Sequence, residues 1–175
     1  MEEPTIRPLH AGNAEALFRF YQGLSPETAG FYEPYTGLTL EKMEAVVAQA
    51  VSGRDFAPVL VAASGEIVGH AFLADVSTAE PTLGIGLADE WQNRGYGPRL
   101  VGEVLTEADA RAEVQAVVLT VNKQNARALR LYRKLGFIIY GECDHREPGD
   151  SFRMRRTRAG LAADARGESS GDCAG

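Results

Sequence analysis

The chain has 175 residues, 45% of them hydrophobic and 24% charged, which suits a single soluble domain able to bury a full core without disulfides or metals. No apolar run approaches the length of a membrane span and the start, Met1-Glu2-Glu3-Pro4, is acidic, so a cytoplasmic protein with no membrane partner is expected. The net charge is −6, and Cys143 and Cys173 lack metal-ligand spacing, so neither a disulfide framework nor a metal site is expected.

The charge is uneven along the chain. Residues 1–90 hold 4 Lys/Arg against 13 Asp/Glu, and residues 91–157 hold 12 against 8. The basic second half suits an anionic ligand; the acidic first half suits a cationic amine or is a solvated surface. Nothing is basic enough to make nucleic acid the main partner.

In chain order, Thr5 to Leu9 alternates as a first strand, and Asn13 is placed to cap a helix with Ala14, Leu17, Phe18 and Tyr21 on one face. The stretch Ser25 to Gly37, punctuated by Pro26, Gly30, Pro34 and Gly37, reads as an irregular loop. Its aromatic residues Phe31, Tyr32 and Tyr35 either pack beneath it or line a binding site. Thr39 caps a second helix, Leu40 to Val51, that buries Met43, Val46, Val47 and Ala50. Val59 to Ala63 and Ile67 to Ala74 read as a hairpin turned at Ser64-Gly65, with His70 inside its second strand as a packed or surface residue.

A strand from Thr82 to Ala88 follows Pro81. Gly84 and Gly86 inside it signal a bulge or a close backbone approach. After the turn Gln92-Asn93-Arg94-Gly95-Tyr96-Gly97, a helix beginning at Pro98 sets Leu100, Val101, Val104, Leu105 and Ala108 on one stripe. Ala116 to Val121 is apolar enough for a buried central strand beside the glycine-bearing one. A helix from Asn125 to Leu135 stops at Gly136, and Phe137 to Glu142 and Ser151 to Arg156 form an antiparallel pair. The domain is read as residues 1–157, with 158–175 as a disordered tail.

Two stretches carry chemistry. A turn with Gly95 and Gly97 opening a helix leaves backbone N–H groups free at the positive end of the helix dipole, where a phosphate binds. Thirty residues on lies Asn125-Ala126-Arg127-Ala128-Leu129-Arg130-Leu131-Tyr132-Arg133-Lys134-Leu135-Gly136-Phe137. Together, Gln-x-x-Gly-x-Gly and this second motif resemble the GNAT family of acyl-CoA N-acyltransferases.

The resemblance implies an α/β fold whose central mixed, mostly antiparallel sheet holds one splayed parallel pair and is flanked by about four helices. It also implies acetyl-CoA as co-substrate, an amine acceptor on a small molecule or a protein, and a monomer or homodimer. By similarity, the amides of Gln92, Asn93, Arg94, Gly95, Tyr96 and Gly97 hold the pyrophosphate, and backbone near Leu87 and Asp89 meets the pantetheine arm. Pro98 removes one N–H from that set. Asn125 bonds the pantetheine or caps its helix, and Arg130 is one of several basic side chains available to the 3′-phosphate. Tyr132 is the expected general acid toward the departing thiolate. Chain order places Glu80, just before the glycine-bearing strand, and Asp75, at the end of the preceding one, to flank the cleft as candidate bases, with Glu33 a third; in the resembled family the base can also act through water or be dispensed with. Cys143 has no histidine partner that would make it a nucleophile. The reading of another class is a non-catalytic acyl-CoA-binding regulatory module, which has no need of a thiolate acid at Tyr132.

Overall fold

The chain runs β1 (Thr5–Pro8), α1 (Ala14–Gln22), α2 (Pro26–Phe31), α3 (Leu40–Val51), β2 (Pro58–Val61), β3 (Ile67–Ala74) and β4 (Thr82–Leu87), then a 3-10 turn (Asp89–Trp91). It continues through α4 (Tyr96–Ala110), β5 (Ala116–Asn122), α5 (Ala126–Lys134), β6 (Ile138–Cys143) and β7 (Ser151–Thr157). This computed structural model describes residues 3–158 other than 33, 36, 145 and 146. The tail 159–175, with Cys173, lies outside the described residues. Arg158, assigned to that tail by sequence, is anchored: its N–H donates to the Gln115 carbonyl and its guanidinium to that of Arg111.

The strands form one mixed seven-stranded sheet in the order β1-β2-β3-β4-β5-β7-β6, with β4 and β5 as the parallel pair. This is the expected fold class. The helix that sequence reading missed is α2, inside the stretch read as loop. Six residues are too few to show a period, and the helix depends on its ends: Pro26 opens it and the Ser25 hydroxyl accepts from the Thr28 N–H at 3.2 Å.

The other caps fall mostly as expected. The Thr39 hydroxyl accepts from the Lys42 N–H, and Gly136 stops α5 at φ +88°. Asn13 departs from expectation. Its amide oxygen turns away from α1 to accept from the His10 N–H and the Arg7 guanidinium, and α1 buries Phe20 more fully than Phe18.

Side-chain alternation along the strands sorts the interior into two layers. Ala71, Leu73, Leu83, Leu119 and Met154 face α4 and α5, joined by Leu100, Val101 and Val104. On the opposite face, Val59, Val61 and Ile67 meet Leu17, Phe20 and Met43 of α1 and α3. Each fully buried aliphatic side chain contributes about 1.5–3 kcal/mol of transfer free energy.

The sheet opens at one place. β3 and β4 stay in register from Gly69↔Leu87 to Ala74↔Thr82, and β5 and β7 from Ala116↔Thr157 to Asn122↔Ser151, but β4 and β5 share only Thr82↔Val118. Beyond that pair the two central strands part. The unbroken β3/β4 register rules out a bulge at Gly84 or Gly86; the close-approach alternative holds instead. A Cβ at Gly84 would lie 2.3 Å from the Phe72 ring, and one at Gly86 would lie 2.2 Å from the Tyr32 ring.

Candidate active site

A cavity of about 910 Å³ occupies the gap between β4 and β5 and reaches both faces of the sheet. That is the upper end of the usual range for small-molecule sites, enough for a long ligand. Its β4 wall has free hydrogen-bonding groups for a simple reason. The Ala88 N–H donates to the Val68 carbonyl, so on β4 the backbone groups of Gly86, Gly84 and Thr82 point to β3 while those of Leu87, Ile85 and Leu83 point the other way. Leu83 still borders the paired end near Val118. At Ile85 and Leu87 the neighbouring strand has gone, and their backbone groups face the gap.

On the α4 side, the cavity reaches the glycine turn. Asn93 at φ +59° and Gly95 at φ +84° bend the chain so that α4 starts at Tyr96, two residues before the boundary read from sequence. Among the described residues nothing accepts from the N–H groups of Asn93, Arg94, Gly95, Tyr96 or Gly97. Asn93, Gly95, Gly97 and Pro98 line the cavity. Arg94 and Tyr96 do not: the Arg94 guanidinium lies 5.8 Å from the centre of the Trp91 ring, and Tyr96 packs on Trp91 beneath Arg99.

Gln92 and Asp89 prove to be organisers. The Gln92 amide donates to the Leu87 carbonyl and the Thr28 hydroxyl, both at 3.0 Å, and its oxygen accepts from Arg127, so one side chain ties β4, α2 and α5 around the gap. The Asp89 carboxylate points away from the cavity to the start of α2. It accepts from the Ser25 hydroxyl at 2.6 Å, the Thr28 hydroxyl at 2.7 Å and the Ser25 N–H at 3.1 Å. These bonds hold it below the ordinary carboxylate range.

From α5, Asn125 caps the helix by accepting from the Ala128 N–H at 3.0 Å while also lining the cavity. Arg127, Arg130 and Lys134 line it too. Tyr132 is 6% exposed, packs on Phe137 at 5.6 Å and lines the cavity; its hydroxyl has no hydrogen-bond partner among the described residues. Burial pushes this phenol above its ordinary range, so it stays protonated at physiological pH.

The opposite mouth of the cavity is built from Phe31, Tyr32, Pro34 and Phe72 on one side and Thr120, Cys143, Asp144, Ser151 and Arg153 on the other. Thus the loop aromatics Phe31 and Tyr32 have a lining role. Behind Tyr32 runs a buried chain: its hydroxyl is 3.1 Å from that of Tyr21, which is 2.7 Å from Nδ1 of His70. His70 is packed, as the strand context suggested, and fully buried, with its pKa pushed down to about 3 by burial. Sequence reading gave Tyr21 and Arg153 no role, because their partners are set by strand and helix neighbours far apart in the chain.

Of the carboxylates considered as bases, Glu80 and Asp75 are not brought to the cavity. Glu80 sits at the closed end of the gap, before Thr82, and is ion-paired with Arg155. Asp75 accepts from Arg54 at 2.8 Å. Glu33 lies outside the described residues. Cys143 lines the cavity with its thiol 3.9 Å from the Thr120 hydroxyl.

The family model for an acetyltransferase (GNAT) domain matches residues 5–138. Over 82 residues the chain is 34% identical to the L-amino acid N-acetyltransferase AaaT of Escherichia coli (strain K12), covering 44% of this chain and 50% of that one, so the match spans half the relative's length. A GNAT-family acetyltransferase from Streptococcus pneumoniae superposes with TM-score 0.72 at 25% identity, over 89% of this chain and 99% of that one. The spermidine N-acetyltransferase of Vibrio cholerae, solved with CoA and spermine, superposes at TM-score 0.71 and 18% identity over 91% and 98%, a likeness of fold. With a family match across most of the sheet and both sequence motifs, this chain belongs to the GNAT acetyltransferase family.

Proposed function

We propose that this protein transfers the acetyl group of acetyl-CoA to a primary amine by direct attack of the amine in a ternary complex. The observation that carries the reading is the gap itself: backbone groups at Ile85 and Leu87 that have lost their neighbouring strand, leading to the free amides of residues 93–97 at the start of α4. An extended amide-bearing arm adds to such an edge as a strand would, and a pyrophosphate suits the helix start.

In this reading the backbone of Ile85 holds the pantetheine, and the N–H of Leu87, whose carbonyl is already taken by Gln92, stabilises negative charge on the thioester oxygen. One such donor is worth about 3 kcal/mol. Asn93, Gly95 and Gly97 hold the pyrophosphate, with Arg94 and Tyr96 adding backbone amides alone. Arg127, Arg130 and Lys134 offer cations for the remaining phosphate. Tyr132 donates its proton toward the leaving sulfur. Gln92 keeps the walls of the gap in place. The amine loses its proton to water, since Glu80 and Asp75 are committed to arginines away from the cavity.

The test is thermal unfolding with acetyl-CoA, CoA or ATP added at about 100 times a micromolar dissociation constant, where binding to the native state adds about 2.7 kcal/mol. Both CoA species should raise the melting temperature by several degrees and ATP should not. Absence of a shift with either CoA species overturns the reading.

A further inference from the structure

The acceptor side of the cavity contains a polar chain that the reaction as described leaves unused. His70 is completely buried, Nδ1 is bonded to Tyr21, and Nε2 has no partner among the described residues. The ring is neutral at physiological pH because burial opposes its charging, so it carries one N–H. If that hydrogen were on Nε2, a buried donor would be orphaned; on Nδ1, only a lone pair is left bare. The orphaned N–H is the rarer and costlier arrangement.

With the hydrogen on Nδ1, His70 donates to the Tyr21 oxygen. Tyr21 has Tyr32 at 3.1 Å and Tyr35 beside it as acceptors; when it donates to the nearer Tyr32 oxygen, the Tyr32 O–H has no acceptor among the described residues. Tyr32 lines the cavity, its ring seated against the β4 backbone where Gly86 has no side chain. In that arrangement it presents a donor to whatever enters the acceptor mouth. Across that mouth Arg153 forms no ion pair or hydrogen bond among the described residues, while the adjacent β7 arginines Arg155 and Arg156 are paired with Glu80 and Asp109. The described carboxylate at the mouth, Asp144, has one oxygen engaged by the Gly149 N–H. A donor and a cation unpaired among the described residues favour oxygen on the substrate, whereas a polycation would require more carboxylate than the half-engaged Asp144 offers.

Building on the acetyltransferase reading, we infer that the acceptor is an amine with a carboxylate or carbonyl oxygen on the neighbouring carbon, an α-amino acid or a peptide N-terminus, whose oxygen is bound by Tyr32 and Arg153. Tyr21 and His70 are positioning residues that set the direction of the Tyr32 hydroxyl.

The experiment measures CoA release from acetyl-CoA, and calorimetric binding to the CoA-loaded protein, with three sets of acceptors: α-amino acids, their amides and dipeptides, and the matching decarboxylated amines together with spermidine. The expected kcat/KM favours oxygen-bearing acceptors at least tenfold, in line with one unmade hydrogen bond to a buried donor. Tyr32→Phe should lower that ratio about tenfold, and Tyr21→Phe should lower it by raising acceptor KM with little change in kcat. Arg153→Gln separates the two sources: a loss confined to free amino acids assigns the carboxylate, and an equal loss for amides and dipeptides assigns the carbonyl. Decarboxylated amines or spermidine used or bound as well as their oxygen-bearing counterparts, or a ratio unchanged in Tyr32→Phe, overturns the inference while leaving the acetyltransferase reading intact. That reading fails separately, by absence of CoA binding.

Discussion

The Tyr32 ring lies against the backbone of Gly86, so close that a Cβ there would sit 2.2 Å from the ring's Cε1 atom. The contact joins the end of α2 to the central strand and sets one wall of the cavity's mouth. Because the Tyr32 hydroxyl is also bonded to Tyr21, the ring is held from both ends.

Gly86→Ala should therefore displace Tyr32. Overpacking of this kind destabilises by about 1–3 kcal/mol. Thermal unfolding should show that loss, and acceptor KM should rise while CoA affinity changes little, since Gly86 directs its backbone to β3 and away from the gap.

Tyr132→Phe removes the hydroxyl proposed to meet the leaving sulfur and leaves the ring packing on Phe137 intact. Turnover should fall about a hundredfold, the lower range for loss of a positioned acid, with the CoA dissociation constant nearly unchanged. Equal turnover across the acceptor panel would remove Tyr132 from the chemistry.

His70 makes stability depend on pH with a definite sign. Its folded pKa of about 3 lies below the ordinary 6.5, so the unfolded chain binds a proton that the folded chain refuses between those values. Stability is unaffected by His70 above pH 6.5 and falls as pH drops through that window, by about 1.4 kcal/mol per pH unit. Urea unfolding from pH 7 to pH 4 should show a shallower decline for His70→Gln than for the natural protein.

Asp89→Ala should loosen the start of α2, because it removes the acceptor for both the Ser25 and Thr28 hydroxyls. The loss should be about 1 kcal/mol, as for a missing helix cap. Acceptor KM should rise with it, since α2 leads into Tyr32. A change in CoA affinity alone would contradict this assignment.

Much of the framework was legible in the sequence because local chemistry determines it. Alternation and apolar runs placed β3 and β5, Thr39 marked the start of α3, and Gly136 marked the end of α5. The glycine turn was legible because free amides at a helix start follow from short-range geometry, and its pairing with the Asn125–Phe137 motif pointed to the cavity through the family resemblance. What tertiary structure decided are relations between distant segments. The helix α2 exists through Ser25 and the reach of Asp89 across 64 residues. Gly84 and Gly86 serve rings from Phe72 and Tyr32, a packing requirement that looks the same in sequence as a bulge. Glu80 appeared to flank the site by chain order, yet the parallel pairing at Thr82↔Val118 puts it at the closed end of the gap, where it meets Arg155. His70, a lone histidine in a strand, acquires its meaning from Tyr21 and Tyr32. Periodicity encodes which way a side chain points, but only the assembled sheet and helices determine what it meets.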